Sequence, residues 1–166
     1  MPALPTLPRV PTPDFVLALR ARIGHDLLWL PGVTAVVLDR TGQRVLLVRR
    51  SDNGAWAPIS GITDPDEQPA QCAVREAREE TGVEIAVERL VSVTTEPETL
   101  HVNGDRAQYL DITFRCRHVE GDPHVADDES TDVAWFDSLD LPPMQAAHRL
   151  RIERSLQVSA EPWFVR

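Results

Sequence analysis

This chain predicts an α/β (α+β) domain in which strands and helices form layers, and three observations carry that expectation. Short runs of β-branched and apolar residues are bounded by turn chemistry, helical periods recur near the start, middle and end, and 42% of the 166 residues are hydrophobic. That content suffices for one core, and no second domain is expected.

Residues 1–12 read as a leader: Pro2, Pro5, Pro8 and Pro11, with Pro13 following, give a near three-residue spacing that favours extended polyproline conformation outside any core. The domain itself is expected over 13–166. Thr12 suits a helix N-cap with Pro13 at the first helical position, and Phe15, Val16, Leu19, Ile23 and Leu27 recur with helical period. A first helix is therefore predicted over roughly 13–28, interrupted at Gly24. After Pro31-Gly32, the runs Val33 to Leu38 and Arg44 to Arg49 flank Arg40-Thr41-Gly42-Gln43, which predicts a hairpin. Ser51 to Ser60 reads as a loop. Ala86 to Thr95 and Ala107 to Val119 alternate apolar and polar residues, with Asn103-Gly104-Asp105 between them as a hairpin signal. Val133-Ala134-Trp135-Phe136 predicts a further strand, and Pro142-Pro143 introduces a last helix from about Met144 to Val158 carrying Leu150, Ile152 and Leu156.

A net charge of -9 repels a polyphosphate chain, and no basic cluster exceeds Arg49-Arg50, so a nucleic-acid polymer is not the expected partner. Nowhere do about 18 uncharged apolar residues run together, and no basic segment precedes an apolar core at the start, so no membrane association and a cytoplasmic location are expected. Cys72 and Cys116 lack zinc-site pairing, and both are expected reduced, Cys116 buried. His25, His101, His118, His124 and His148 share no ligand spacing, and no serine sits in a nucleophile elbow. Transition-metal and covalent hydrolysis are thereby disfavoured.

The segment from Gly61 to Val83 carries the chemistry. Its acidic loop Thr63 to Gln68, Pro69 at the start and Gly82 at the end frame a helix. At about 100° per residue, Glu76, Glu79 and Glu80 fall within about a quarter turn of one another. Ala70, Ala73, Val74 and Ala77 form an adjoining stripe small enough to pack closely on a sheet. Carboxylates so gathered repel, and Mg²⁺, a hard cation liganded by oxygen, compensates them; Mn²⁺ suits the same donors. The plainer alternative is a solvated surface helix, which the flanking loop and caps speak against.

Gly61, Glu67, Arg75, Glu76, Ala77, Glu79, Glu80, Gly82 and Val83 match the Nudix box, G-x5-E-x7-R-E-U-x-E-E-x-G-U, with U aliphatic and Ala77 small for its class. The chain thus resembles the Nudix hydrolases, although Ile59-Ser60-Gly61 departs from the Pro-Gly-Gly common in that family. The resemblance implies a Nudix fold, a mixed sheet sandwiched between helices, which periodicity alone does not show. It further implies Mg²⁺-dependent attack of water on the diphosphate of a small nucleotide, a nucleoside diphosphate linked to a second moiety. ADP-ribose or a nucleotide sugar is preferred to a (d)NTP, and the leader allows a homodimer. Glu76, Glu79 and Glu80 become metal ligands, one of them an alternative base, and Gly61 offers its carbonyl. Glu67 stands further out, and Arg75 orients a carboxylate by an ion pair. A further carboxylate from outside the box is expected at Glu129, with Asp128 as its substitute. Trp29, Trp56, Tyr109 and Phe114 are candidates to stack on a base, and Arg49, Arg50 and Arg106 to pair with a substrate anion. Two other readings are a nucleotide sensor without catalysis, which would ordinarily have lost box carboxylates, and an isoprenoid diphosphate isomerase using a reactive cysteine such as Cys116.

Overall fold

In the computed structural model, residues 12–158 and 161–166 are described, so all but the last residue of the expected leader lies outside them. Helix α1 spans Asp14–Ile23 and is closed by Gly24, whose φ of 59° lets its N–H return to the Arg20 carbonyl at 2.8 Å. The helix expected to reach residue 28 thus ends at Ile23, because Gly24 terminates it instead of kinking it.

Strand β1 covers Leu28–Leu38 and β2 covers Arg44–Arg50. β1 starts five residues before the predicted Val33 and carries Pro31-Gly32 within it. Pro31 is tolerated there because its carbonyl accepts from Thr63 N–H at 3.2 Å while no N–H is required of it. The hairpin is splayed: Leu38 and Val45 are the registered pair, and beyond them the strands part to different neighbours. β3 (Trp56–Ala57) and β4 (Ile59–Ile62) take up the end of the stretch read as a loop. β3 pairs with β2 through Val48 and Ala57, β4 with β1 through Ala35 and Ile59, and Pro58 stands at the crossing.

Helix α2 (Pro69–Thr81) leads into β5 (Glu84–Thr95), β6 (Thr99–Leu100), β7 (Arg106–Glu120), β8 (Ser130–Asp137) and α3 (Ala146–Leu156). Asn103-Gly104-Asp105 turns the chain from β6 into β7, while β5 supplies the long antiparallel partner of β7. β1 and β7 run parallel and in register from Leu28/Ala107 to Leu38/Arg117. The eight-stranded mixed sheet has the path β3-β2-β1-β7-β5, with β4 on β1, β6 on β7 and β8 on β2.

Strand alternation sorts the core into two layers. Val33, Ala35, Val37, Leu46 and Val48 face α2 with Ile59, Cys72, Ala73, Ala77 and Val83. Val36, Leu38, Val45 and Leu47 point to the other side, where Ile152 of α3 meets them with Trp56 and Phe136 alongside. The architecture is the mixed sheet between helices. Both cysteines are free and buried, and burial pushes each thiol up to about 12. No helix among the described residues is long and apolar enough to cross a membrane.

Candidate active site

Helix α2 is set by its ends and its small face. Gln68 N–H donates to Gln71 Oε1 at 3.1 Å before Pro69 opens the helix, and Gly82 closes it in the left-handed region at φ 69°. Ala73 and Ala77 are fully buried, so the helix lies close on β1 and β4 and brings its charged edge over the Gly61 backbone.

Arg75 organises that edge. Its Nε and Nη2 hold Glu67 at 2.8 and 2.9 Å, Nη1 donates to Glu76 at 2.8 Å and Glu79 at 3.0 Å, and Nη2 also reaches the Ile62 carbonyl. The box arginine therefore binds three carboxylates at once. Glu67 in turn caps the preceding loop by accepting from Asp64 N–H. A Cβ on Gly61 would overlap the carboxyl group of Glu76, so glycine here leaves the space that carboxylate occupies.

Glu80 is 4% exposed, and its closest hydrogen bond comes from Ser60 N–H at 3.4 Å. Burial, then the charges of Glu76, Glu129 and Asp127, raise its carboxyl well above the usual range. Burial also pushes Glu76 up to about 7, opposed by Arg75.

The acidic loop before β8 completes the cluster because the end of α2 holds it. His124 and Ala126 N–H donate to the Thr81 and Glu80 carbonyls at 3.1 Å each, and the Glu129 carbonyl accepts from Ser51 N–H at 2.8 Å. Glu129 thereby comes within electrostatic reach of Glu79, Glu80 and Arg50; burial, then the Asp127 charge, push it up to about 7. Asp127 shares this field, with the charge of Asp128 acting on it, and it also accepts from Glu129 N–H. Arg50 carries the opposing charge, held bidentately by Asp52 at 3.0 and 2.7 Å.

The three box glutamates thus share a neighbourhood, yet among the described residues no three such groups stand close enough to form a ready ligand set. Arg75 explains this, since it draws Glu76 and Glu79 onto itself. The residues nevertheless fit a hard divalent cation. Every donor is oxygen, Glu80 is a buried carboxyl with one long N–H contact, and Gly61 keeps the Glu76 side open.

The other candidates disperse. Trp56, partly exposed, packs edge-on against Phe136, ring centroids 4.7 Å apart, and Phe114 packs on the core. Arg106 is paired with Glu98 on the β6–β7 turn, and Arg49 Nε is spent on the Gly54 carbonyl. Trp29 is half-exposed at the start of β1. Tyr109 is closer to the site: burial raises its phenol, and the Arg50 charge reaches it. Period-two alternation does not separate the two arginines, because the register of β2 shifts between Arg49 and Arg50. No signal marks Asp127 either.

Comparison with known proteins gives a family-wide match and several likenesses. The NUDIX domain model matches residues 28–156. A MutT-like protein of Streptomyces ambofaciens is 35% identical over 104 residues, covering 63% of this chain and 61% of that protein. The NAD-capped RNA hydrolase NudC of Pseudomonas aeruginosa is 33% identical over 113 residues, 67% of this chain and 38% of NudC. The crystal structure of a UDP-X diphosphatase superposes with a TM-score of 0.62 at 24% identity, covering 87% of this chain and 70% of that one, a likeness of fold. The chain therefore spans less than two thirds of the curated relatives it matches.

Proposed function

The chain belongs to the NUDIX domain family, and from that premise we propose that it is a Mg²⁺-dependent pyrophosphohydrolase, with Mn²⁺ an alternative ion, that cleaves the diphosphate of a small nucleotide by water attack. The observation that carries this reading is the imbalance of charge at the end of α2. Glu76, Glu79, Glu80, Asp127 and Glu129 interact there with two guanidinium groups, those of Arg75 and Arg50. Carboxyls gathered in such excess around the buried Glu80 call for a cation.

Glu76, Glu79, Glu80 and the Gly61 carbonyl would hold the ion. When bound, it neutralises charge developing on the phosphate oxygens and lowers the pKa of bound water. The chain's own part is position: Arg75 and Glu67 fix the box carboxylates, Glu129 supplies a carboxylate placed to take a proton, and Arg50 offers a cation to the diphosphate. The function rests on residues 13–166 acting as one domain, in a cytoplasmic setting.

A nucleoside diphosphate linked to a second moiety, ADP-ribose or a nucleotide sugar, is the preferred substrate. The Arg50 charge reaches Glu80 and Glu129 and also Tyr109 and His148, a polar neighbourhood that suits a two-part molecule. NudC, at 33% identity, is an NAD-capped RNA hydrolase, which fits a nucleotide substrate of more than one part. A Mg²⁺-dependent product screen over ADP-ribose, nucleotide sugars, NADH, dinucleoside polyphosphates and (d)NTPs tests the reading. Monophosphate products from the first group support it, pyrophosphate release from (d)NTPs alone moves the activity to a (d)NTP pyrophosphatase, and tight binding without turnover makes the protein a nucleotide sensor.

A further inference from the structure

Across the sheet from α2, a buried ionic network fixes one side chain that the proposed chemistry does not use. Arg151 of α3 is 7% exposed, and its guanidinium donates to Glu96 Oε1 at 2.7 Å and pairs with Asp111 Oδ2 at 3.1 Å. Asp111 also accepts from the hydroxyls of Thr34 and Thr113, each at 2.6 Å, and Glu96 from that of Thr94 at 3.0 Å. The guanidinium is thus held by Glu96, just past β5, and by Asp111 of β7, each of which is fixed in turn by threonine hydroxyls. Its remaining nitrogen, Nη1, lies 3.1 Å from His148 Nδ1, one turn earlier on α3.

A guanidinium only donates, so Nδ1 must accept, and the imidazole proton is confined to Nε2. Burial, with the charges of Arg151 and Arg50, pushes His148 down to about 4, so the ring stays neutral near pH 7. The network therefore presents a single neutral donor, Nε2–H, which has no protein partner among the described residues. The bridge between Met144 and Trp56 brings the approach to α3 against the segment that follows Arg50, and the Arg50 charge reaches His148 and Tyr109 as well as Glu80 and Glu129.

We propose that His148 is a specificity residue whose Nε2–H donates to an uncharged oxygen acceptor, a hydroxyl or a base carbonyl, on the moiety beyond the diphosphate, with Arg151, Glu96 and Asp111 as its positioning residues. A neutral donor suits an uncharged acceptor, whereas the phosphates are matched by the permanent charge of Arg50. The inference rests on the pyrophosphohydrolase reading for its substrate, but its donor can be observed without turnover.

The test uses the full chain. Long-range ¹H–¹⁵N spectra of the histidine side chains at pH 7 should show His148 as the Nε2–H tautomer, and its resonance should shift on addition of AMP or of ribose 5-phosphate. A shift with AMP alone assigns the acceptor to the nucleoside, and one with ribose 5-phosphate alone to the sugar. In the enzyme assay, His148→Phe, folded by circular dichroism, should raise KM by about tenfold or more with a smaller change in kcat, and His148→Gln, which restores an N–H, should recover most of it. An Nδ1–H tautomer, no shift with either probe, or a wild-type KM in His148→Phe overturns the proposal. If the wild-type chain hydrolyses nothing, the hydrolase reading fails by itself and the two probe titrations still decide the donor.

Discussion

The backbone of Gly61 and the carboxyl group of Glu76 occupy adjoining space so closely that a methyl group on Gly61 would overlap Glu76 Cδ and Oε1. Glycine in β4 and a glutamate in α2, fifteen residues on, are thus one structural unit. The first prediction follows: Gly61→Ala displaces the mobile end of Glu76 rather than the backbone. Melting temperature should change little while kcat falls by about 100-fold. A variant with wild-type turnover would remove Glu76 from the site.

Glu80 offers the reverse combination. Glu80→Gln keeps the volume, removes a buried carboxyl raised well above its usual range, and leaves an amide beside Ser60 N–H. The metal-free variant should be as stable as the parent or more so, because the buried ionisable group is gone. Turnover should fall by about 1000-fold, and the rise in melting temperature on adding Mg²⁺ should shrink. Differential scanning calorimetry with and without Mg²⁺ reads both; a variant stabilised by Mg²⁺ as strongly as the parent speaks against Glu80 as a ligand.

Arg75 is the residue whose loss should cost most in folding. It serves Glu67, Glu76 and Glu79 together, and the fork to Glu67 cannot be reproduced by an ammonium group. Arg75→Lys should destabilise by about 2 kcal/mol, and a double-mutant cycle with Glu67→Gln should give a coupling of about 1 kcal/mol or more. Additive urea midpoints would show the pair to be independent.

How much of this was legible beforehand divides by the range of the interaction. The spacing of Glu76, Glu79 and Glu80, the caps of α2 and the ion pairing of Arg75 depend on neighbours within a few turns, and sequence period reveals such contacts. The strand character of Leu28 to Gly32 does not show in that way, because its parallel partner begins at Ala107 and Pro31-Gly32 locally reads as a turn. Trp56 and Ala57 likewise become a strand only because β2 and β1 diverge and each accepts a new neighbour. Asp127 carries no mark in the sequence, because its place is set by hydrogen bonds from the His124 and Ala126 N–H groups to the end of α2, which no pattern in the loop announces. Arg50 is not separable from Arg49 by alternation, because the register of β2 shifts at that very step.

The last prediction concerns acid stability and lies far from the carboxylate cluster. Asp39, 6% exposed, ties the turn after β1 by accepting from Thr41 Oγ1 at 2.8 Å, Arg44 Nε at 2.9 Å and the N–H groups of Gln43 and Arg44. Burial acts to raise its carboxyl, but the bonds from Arg44, Thr41 and the backbone outweigh it and hold Asp39 at about 2, below the 3.8 of a free aspartate. A carboxyl whose pKa is lower in the folded state binds its proton more readily when unfolded. Its contribution is therefore complete above about pH 4 and is lost as pH falls from there toward 2. Asp39→Asn should lower stability by about 1–2 kcal/mol at pH 7, through the lost ion pair and weaker acceptance of the turn's N–H groups. The gap between variant and parent should close as pH is lowered across that window, because both then carry an uncharged group at this position. Urea midpoints measured from pH 7 down to the onset of acid unfolding test it, and a gap that stays constant from pH 4 downward would show that the charge of Asp39 is not what holds the turn.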